Sequence, residues 1–266
     1  GPEGKAAEDR AKDYWKKNIA TWKDAPLPSI TDVNLKVDLE PARHWFRSRG
    51  TYRIANAYHD RIDSVPLTGG DHWEKVAWTM NGAVVTPDER LKLYVFTPPN
   101  PLQRGDTMEL GFDVEGRLPA GITKNGGPAM EFILPGGVVL TSFGTAFVPE
   151  LGFLEQVGVD DDNRYEPKQY RDDFYLGITE PAYGAAAPYT THIENSGPQE
   201  YAWNSVGTLL SDTVAGGRRT AIWQSDHPVN FFNVVGARWA VRQGQDTVIY
   251  YHPDHTYNID EIQLML

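Results

Sequence analysis

Cysteine is absent from this chain of 266 residues, which excludes both disulfide bridges and thiolate metal sites. No apolar run reaches the roughly 18 residues that a membrane-spanning helix needs. Cations are also scarce, because 25 lysines and arginines against 36 aspartates and glutamates give a net charge of -11. A nucleic-acid-binding surface requires clustered cations, so we predict no nucleic-acid partner.

Catalytic motifs are lacking as well. The sequence contains no H-E-x-x-H zinc motif, no Gly-x-Ser-x-Gly nucleophile elbow and no glycine-rich phosphate loop. The two closest histidines, His252 and His255, are separated by Pro253 at a predicted strand end, which favours a turn over a metal site. Residues 160–163 (Asp-Asp-Asp-Asn) lack the glycine and glutamate of an EF-hand calcium loop. We therefore predict no catalytic residue and no metal ligand in this chain.

The composition favours a mainly β fold. The 19 prolines, 25 glycines and 12% aromatic residues are typical of many short strands joined by turns. Apolar and polar residues alternate through all eight positions of 32–39, as a strand with one buried face requires. We predict a multi-sheet β sandwich. Further strand patterns occur at 51–56, 75–80, 91–96, 108–116, 130–134, 138–143, 189–193, 202–209, 219–223, 231–241 and 247–251.

Two of these strands, 75–80 and 91–96, lie on either side of the dipeptide Asn81–Gly82. Asn-Gly tolerates the positive φ angles that a tight turn demands. Because eight further residues follow this dipeptide before the second strand, we predict that the two strands are joined by a connection longer than a tight hairpin.

The chain is predicted to be helical near both ends. An apolar stripe (Ala11, Trp15, Ile19 and Trp22) predicts a helix over 8–24, which prolines then terminate. Residues 260–266 begin to read as a second helix that stops after two turns at most, so we predict a cut piece of a larger protein.

These boundaries predict a helix and linker at 1–28, a β domain at 29–259 and a truncated helix at 260–266. No linker composition separates the strands before 116 from those after 188, so one β unit is favoured over two lobes. Two functions remain open from the residues alone. One is a self-contained sandwich that binds carbohydrate or protein, and the other is a glycosidase whose paired carboxylates the fold assembles.

The order of several short motifs resembles a known family. Tyr-Trp-Lys-Lys at 14–17 precedes Pro-Leu-Pro-Ser-Ile-Thr-Asp-Val at 26–33, and Pro-Leu-x-x-Gly-Asp at 101–106 precedes a strand. Val-Pro-Glu-Leu-Gly-Phe at 148–153 and Tyr-His-Pro-Asp-His-Thr-Tyr-Asn at 251–258 follow. This order resembles the N-terminal β domain of the aminopeptidase N family of zinc metallopeptidases. It is most similar to a bacterial branch in which this region is fused behind an ABC-transporter-type permease.

The resemblance implies a saddle-like assembly of sheets that is itself non-catalytic and holds no cofactor. Zinc is then expected in a catalytic domain that is missing from this chain. The expected partners are that peptidase domain, a membrane domain of the same protein and a peptide substrate. The expected location is the extracytoplasmic (periplasmic) face of a bacterial inner membrane.

The resemblance also implies that Thr141, Ser142 and Phe143 form part of a substrate-cleft wall. Many family members place a Gln or Glu near this strand, beside the substrate's amino terminus. Here Thr141–Ser142 stands where a Thr-Gln is expected, which puts ordinary aminopeptidase specificity in doubt. Residues 127–131 (Gly-Pro-Ala-Met-Glu) superficially resemble the family's Gly-x-Met-Glu-Asn element, and we interpret that likeness as coincidence.

Overall fold

The computed structural model describes residues 2–22, 24–120, 123–124, 130–142, 144–154, 187–238, 240–243 and 248–251. The fold is mainly β, with 57% strand and 10% helix, which confirms the predicted class. The predicted helix at 260–266 lies outside the described residues.

The N-terminal helix α1 spans Pro2–Trp22 and therefore begins earlier than predicted. Lys12 pairs with Glu8 one turn before it at 2.8 Å, and the Trp22 indole donates to the Asn18 side chain at 3.2 Å. Such contacts three or four positions apart stabilise a helix locally by a few tenths of a kcal/mol each, about 0.2–0.5.

The described residues form 21 strands, and a short 3-10 helix, Pro41–Arg43, connects the first two. The first ten strands are β1 (Ser29–Glu40), β2 (Trp45–Ala55), β3 (Arg61–Ile62), β4 (Val65–Thr68), β5 (Trp73–Met80), β6 (Ala83–Val85), β7 (Asp88–Arg90), β8 (Leu93–Phe96), β9 (Leu102–Gln103) and β10 (Thr107–Arg117). The others are β11 (Thr123–Lys124), β12 (Met130–Leu134), β13 (Gly137–Thr141), β14 (Glu150–Leu151), β15 (Thr190–Pro198), β16 (Tyr201–Asn204), β17 (Thr208–Ala215), β18 (Arg218–Gln224), β19 (Asn233–Arg238), β20 (Ala240–Gln243) and β21 (Val248–Tyr251).

The largest sheet has eight strands in the order β17-β18-β15-β1-β2-β10-β5-β6. The alternation predicted for β1 is confirmed by which of its side chains are buried. The odd-numbered residues lie in the core (Val33, Leu35, Val37 and Leu39), whereas Asn34, between the first two of them, is exposed. Burying an aliphatic side chain of this size contributes about 1.5–3 kcal/mol. The periodicity of β1 thus determines which face of the sheet is covered.

Strands from the two halves of the chain share this sheet. β1 and β15 pair in parallel, with Leu35 opposite Ile193 and Val37 opposite Asn195. Parallel neighbouring strands need a long crossover connection, and here residues 41–189 lie between β1 and β15. Strands from before residue 116 (β1, β2, β5, β6 and β10) and from after residue 188 (β15, β17 and β18) therefore lie in one continuous sheet.

The solvent-facing side of this sheet carries pairs of opposite charge. Arg47 binds Asp113 at 2.8 Å and Arg49 binds Asp38 at 2.7 Å, each across neighbouring strands. The hydrogen bond and charge of Arg47 lower the pKa of the Asp113 carboxyl, although burial opposes part of that effect. Because these pairs are partly exposed, each contributes no more than about 1 kcal/mol.

The prediction that the Asn81–Gly82 turn joins strand 75–80 to strand 91–96 is wrong, because the turn joins β5 to β6. Asn81 and Gly82 have φ angles of 50° and 81°, and they close a two-residue hairpin in which Met80 pairs with Ala83. β5 therefore pairs with β6, whereas β8 pairs with β4 and β7 in a separate four-stranded sheet, β14-β4-β8-β7. The tight turn forms because both residues accept positive φ, and the chain then crosses to the other sheet through residues 86 and 87.

The predicted strand 202–209 is likewise two strands in two sheets. β16 belongs to a five-stranded sheet, β11-β12-β13-β19-β16, while β17 is an edge of the eight-stranded sheet. Gly207, at φ 94°, lies between them, and its Cβ position is only 2.0 Å from the Gln224 carbonyl oxygen. A glycine is required there because any other residue would be strained and would clash with the neighbouring backbone.

Trp203 of β16 lies in a slot between two glycines. A Cβ atom at Gly197 would approach the indole to 2.2 Å, and one at Gly236 would approach it to 2.1 Å. Tyr201 stacks on Trp203 with ring centroids 5.3 Å apart. The bare backbones of β15 and β19 thus admit a large aromatic ring that joins the five-stranded sheet to the eight-stranded one.

Candidate functional site

Thr141, predicted to line a cleft, ends strand β13 and is held by a buried carboxylate. The Thr141 N–H donates to Glu131 Oε1 at 2.8 Å, and its hydroxyl donates to the same oxygen at 3.3 Å. Glu131 lies on the neighbouring strand β12 and is 2% exposed. Thr141 itself is partly exposed, so a buried acid fixes a residue that reaches the surface.

Ser142 is fixed from a different side. Its N–H donates to the Phe232 carbonyl oxygen at 3.0 Å, and its hydroxyl accepts the Phe232 N–H at 3.0 Å. Phe232 is buried and contacts both Phe147 and Tyr189 edge-on, at centroid distances of 6.3 and 6.2 Å. The third predicted wall residue, Phe143, lies outside the described residues.

Two side chains from other strands, Tyr52 and Thr68, form hydrogen bonds to residues 149–154, which follow the predicted wall residues. The Tyr52 hydroxyl donates to the Pro149 carbonyl oxygen at 2.8 Å. The Thr68 hydroxyl donates to the Gly152 carbonyl oxygen at 2.7 Å and accepts the Leu154 N–H at 3.3 Å. These three bonds hold the short strand β14, and with it Glu150, against the four-stranded sheet.

We expect Thr68→Val to lower the free energy of unfolding by about 1–3 kcal/mol, because it leaves a buried carbonyl and an N–H unpaired. Thr68 is fully buried and valine has nearly its shape, so the loss of the hydroxyl is isolated from packing. Urea unfolding followed by tryptophan fluorescence measures the change. Thr213→Val on the exposed edge strand β17 is the matched control, and an equal loss in both variants would contradict the assignment.

Glu131, Thr141, Ser142, Glu150 and Tyr189 form what we call the acid–tyrosine cluster. Burial, and after it the charge of Glu131, raises the pKa of Glu150 to about 8. Burial also raises the pKa of Tyr189 to about 12, although a hydrogen bond with the Ser142 side chain acts in the opposite direction. Glu150 is consequently mostly protonated at neutral pH, and Tyr189 stays neutral.

The geometry limits what this cluster can do chemically. A glycosidase needs two carboxyl groups that face the same cleft, about 5–10 Å apart, with a sugar between them. The carboxyl of Glu131 is enclosed and bonded to Thr141, so it does not fit that role. Within the part of the chain that the structure describes, no group of three or more His, Asp or Glu side chains is placed to hold a metal ion. The cluster fits the positioning of Thr141 and Ser142, not proton transfer to a substrate.

Three residues of this cluster, Glu131, Glu150 and Tyr189, were not predicted as site residues, and Glu131 was named only in the 127–131 likeness that we interpreted as coincidence. Glu131 shares its strand face with the buried Ile133, two positions on, and that spacing is a signal of a carboxylate on a core face. Glu150 follows Pro149 and belongs to no alternating pattern, so nothing local indicated it. The predicted turn with His252 and His255 and the acidic run at 160–163 lie outside the described residues.

One further structural result bears on membrane association. Among the helices that the described residues form, none combines the length and the apolar composition needed to cross a bilayer.

Comparison with known proteins gives a match in structure alone. No protein-family model matches this chain, and no curated protein matches it in sequence. The fold is similar to that of an M1 zinc metallopeptidase from Deinococcus radiodurans, with a TM-score of 0.55 and 16% identity over 84% of this chain and 46% of that chain. A mutant from the same organism, bound to a Tyr-Ser-Ala substrate, matches with a TM-score of 0.51 at the same identity and coverage.

A third solved structure, a two-domain M1 zinc metallopeptidase mutant bound to L-tryptophan, matches with a TM-score of 0.52, again at 16% identity. This chain spans less than half the length of these structures, at 46% of each. At this identity the likeness establishes a common architecture. The chain therefore has the β fold that part of an M1 zinc metallopeptidase has.

Proposed function

We propose that this chain is the non-catalytic N-terminal β domain of an aminopeptidase-like zinc metallopeptidase. In that role it packs on the catalytic domain and walls one side of the substrate cleft. The observation that supports this most is the fold match over 84% of this chain and 46% of an M1 zinc metallopeptidase. A chain with that coverage corresponds to one domain of such an enzyme and leaves a second domain to hold the metal.

In this proposal Thr141 and Ser142 present hydroxyl groups to the peptide. Both are partly exposed, and backbone hydrogen bonds hold each of them, to Glu131 in one case and to Phe232 in the other. Groups that are fixed in this way recognise a ligand without the entropic cost of ordering it themselves. A serine reaches less far than the glutamine expected there, so the preferred substrate differs from that of an ordinary aminopeptidase.

The remainder of the proposal rests on the order of the sequence motifs. The catalytic domain follows this chain and binds zinc, which there polarises a peptide carbonyl and activates water. A membrane domain of the same protein tethers both at the extracytoplasmic face of a bacterial inner membrane, as in the permease-fused branch. The residues encoded directly after Leu266 test this point, because the proposal requires an H-E-x-x-H motif there with a glutamate downstream.

We expect the 266-residue chain alone to release no amino acid from aminoacyl-anilide substrates, with or without added Zn²⁺. The physical reason is that the sequence offers no H-E-x-x-H ligand set to activate water. The release of p-nitroaniline, followed by absorbance, is the measurement. Hydrolysis that co-purifies with this chain, stops with EDTA and returns with Zn²⁺ would overturn the non-catalytic assignment.

A further inference from the structure

The tip of the β5–β6 hairpin carries the dipeptide Asn81–Gly82, whose nitrogen at Gly82 is open to reaction. Glycine has no side chain that would obstruct its own main-chain nitrogen. Gly82 is exposed, and a Cβ atom there would meet nothing within 4 Å, so no other segment shields the turn at this residue. Its N–H makes no hydrogen bond within the described part of the chain. The nitrogen is therefore available as an internal nucleophile.

The side-chain amide of Asn81 is held as the matching electrophile. Its Oδ1 accepts the Glu109 N–H at 2.9 Å, a contact at the protein surface. A main-chain N–H that donates to a carbonyl oxygen stabilises the negative charge that develops there when the carbon is attacked. The Asn81 Nδ2 donates no hydrogen bond to any described residue, so it can leave as ammonia into solvent.

The folded hairpin slows this attack without preventing it. The Asn81 N–H donates to the Glu109 carbonyl oxygen at 2.8 Å, and Met80 pairs with Ala83, so the main chain at Asn81 must rotate before the two groups meet. Strand β6 has only three residues, lies at the edge of its sheet and is exposed over its first two positions. A short edge strand opens locally far more often than the whole domain unfolds. The reaction therefore needs only an opening of the hairpin tip.

We propose that Asn81 is a modification site, at which the chain converts this asparagine to isoaspartate and aspartate. The Gly82 nitrogen forms a bond to Asn81 Cγ, the Cγ–Nδ2 bond breaks, and ammonia leaves with the Gly82 proton, which closes a succinimide ring. Water then adds to one of the two ring carbonyls. Opening at Cγ gives aspartate, and opening at the main-chain carbonyl gives isoaspartate. One water molecule is consumed, one ammonia is released, and no other reactant is needed.

The two products have different effects on the hairpin. Isoaspartate places one additional methylene group in the main chain of a turn that has only two residues. Because turn length fixes the register of a hairpin, Met80 then no longer faces Ala83 and β6 separates from β5. Aspartate keeps the length of the turn and an oxygen that accepts the Glu109 N–H. The isoaspartate form thus releases the edge strand, whereas the aspartate form retains it.

The reaction is tested by incubating the 266-residue chain at about pH 8 and about 37 °C, with and without urea. Peptide mass mapping follows conversion at Asn81 and separates it from the other Asn-Gly pair, at 125–126. We expect conversion in the folded chain to be about tenfold slower than in urea, as local opening requires. Asn100 is the control, because it is exposed but precedes Pro101, which has no N–H to attack with. A folded chain that keeps Asn81 intact after the urea sample has converted fully, or equal conversion at Asn100, would overturn the proposal.

The structural consequence has a separate readout. The isoaspartate form, which carries one more negative charge than the starting chain, is purified by anion exchange and identified with an isoaspartyl-specific methyltransferase. We expect the cross-strand nuclear Overhauser contacts between β5 and β6 to disappear in this form, while those between β5 and β10 remain. The Asn81→Asp variant has the same charge and an unchanged main chain, so it should keep both sets. Contacts between β5 and β6 that persist in the isoaspartate form, or that Asn81→Asp also loses, would contradict the assigned effect on the hairpin.

Discussion

Replacing Glu150 by Gln should raise the free energy of unfolding at pH 9 by about 3 kcal/mol and change it little at pH 5. Burial, with the nearby Glu131, raises the pKa of Glu150 from the ordinary 4.5 to about 8 in the folded chain. The folded state therefore favours the protonated acid. The stability associated with Glu150 is fully present below pH 4.5 and is lost as the pH rises through about 8. Glutamine stays neutral, so the loss disappears.

The size of this effect follows from the same pKa difference. A rise from 4.5 to about 8 corresponds to at most about 5 kcal/mol. Glu150 is partly exposed, so solvent reduces that figure to about 3 kcal/mol. The groups that face Glu150 are Glu131 on β12, Tyr52 on β2 and Tyr189 just before β15. The charge of Glu131 disfavours the ionised form of Glu150, and the two tyrosines are neutral.

Urea unfolding of both proteins at pH 5, 7 and 9 measures this difference. Glu109→Gln is the matched control, because Glu109 is an exposed carboxylate on strand β10 and should leave the pH dependence unchanged. If the wild-type chain and Glu150→Gln lose stability in parallel between pH 5 and 9, the rise in the pKa of the Glu150 carboxyl is wrong.

The second large effect is expected at the slot that holds Trp203. Gly236→Ala should lower the free energy of unfolding by about 2–3 kcal/mol, because it forces a methyl group into a packed core. The new Cβ would lie 2.1 Å from Cζ3 and 2.4 Å from Cε3 of Trp203. Real atoms cannot approach that closely, so either the indole or strand β19 must move. Thermal and urea unfolding both measure the loss.

Two further variants separate this clash from any general cost of losing a glycine. Gly136→Ala is the matched control, because a Cβ there meets nothing within 4 Å and the change should be nearly neutral. In a Trp203→Phe background, Gly236→Ala should cost less than it does alone, because phenylalanine lacks the outer atoms of the indole. Additive losses in the double variant would show that Trp203 is not the group in contact.

Much of the local structure could be predicted from the sequence because it depends on neighbours in the chain. The alternation of 32–39 places every second side chain of β1 in the core, since successive side chains of a strand point to opposite faces; these are Val33, Leu35, Val37 and Leu39. The helix predicted at 8–24 also follows from a local pattern, and α1 contains most of that range but begins earlier, at Pro2. The motif order predicted an M1-like β fold, and the structural matches have that fold.

The candidate site could be predicted only in part. Thr141 and Ser142 were named from a resemblance, and their placement in a cleft wall stays a prediction. The acid behind Thr141 was visible in principle, because Glu131 occupies a core-facing position two residues before Ile133. Glu150 was not visible, because its environment comes from Tyr52, Glu131 and Tyr189, which are distant in sequence.

The sequence by itself determined the class of fold, the faces of the long strands, the turn at Asn81–Gly82 and the lack of a thiol or H-E-x-x-H metal site. Each of these depends on residue type and on periodicity over a few positions. Tertiary structure alone decided that β1 pairs with β15, that β5 pairs with β6 rather than with β8, and that Glu131 lies near Glu150. The physical reason is that strand pairing and burial depend on which distant surfaces fit together, and no local pattern records that choice.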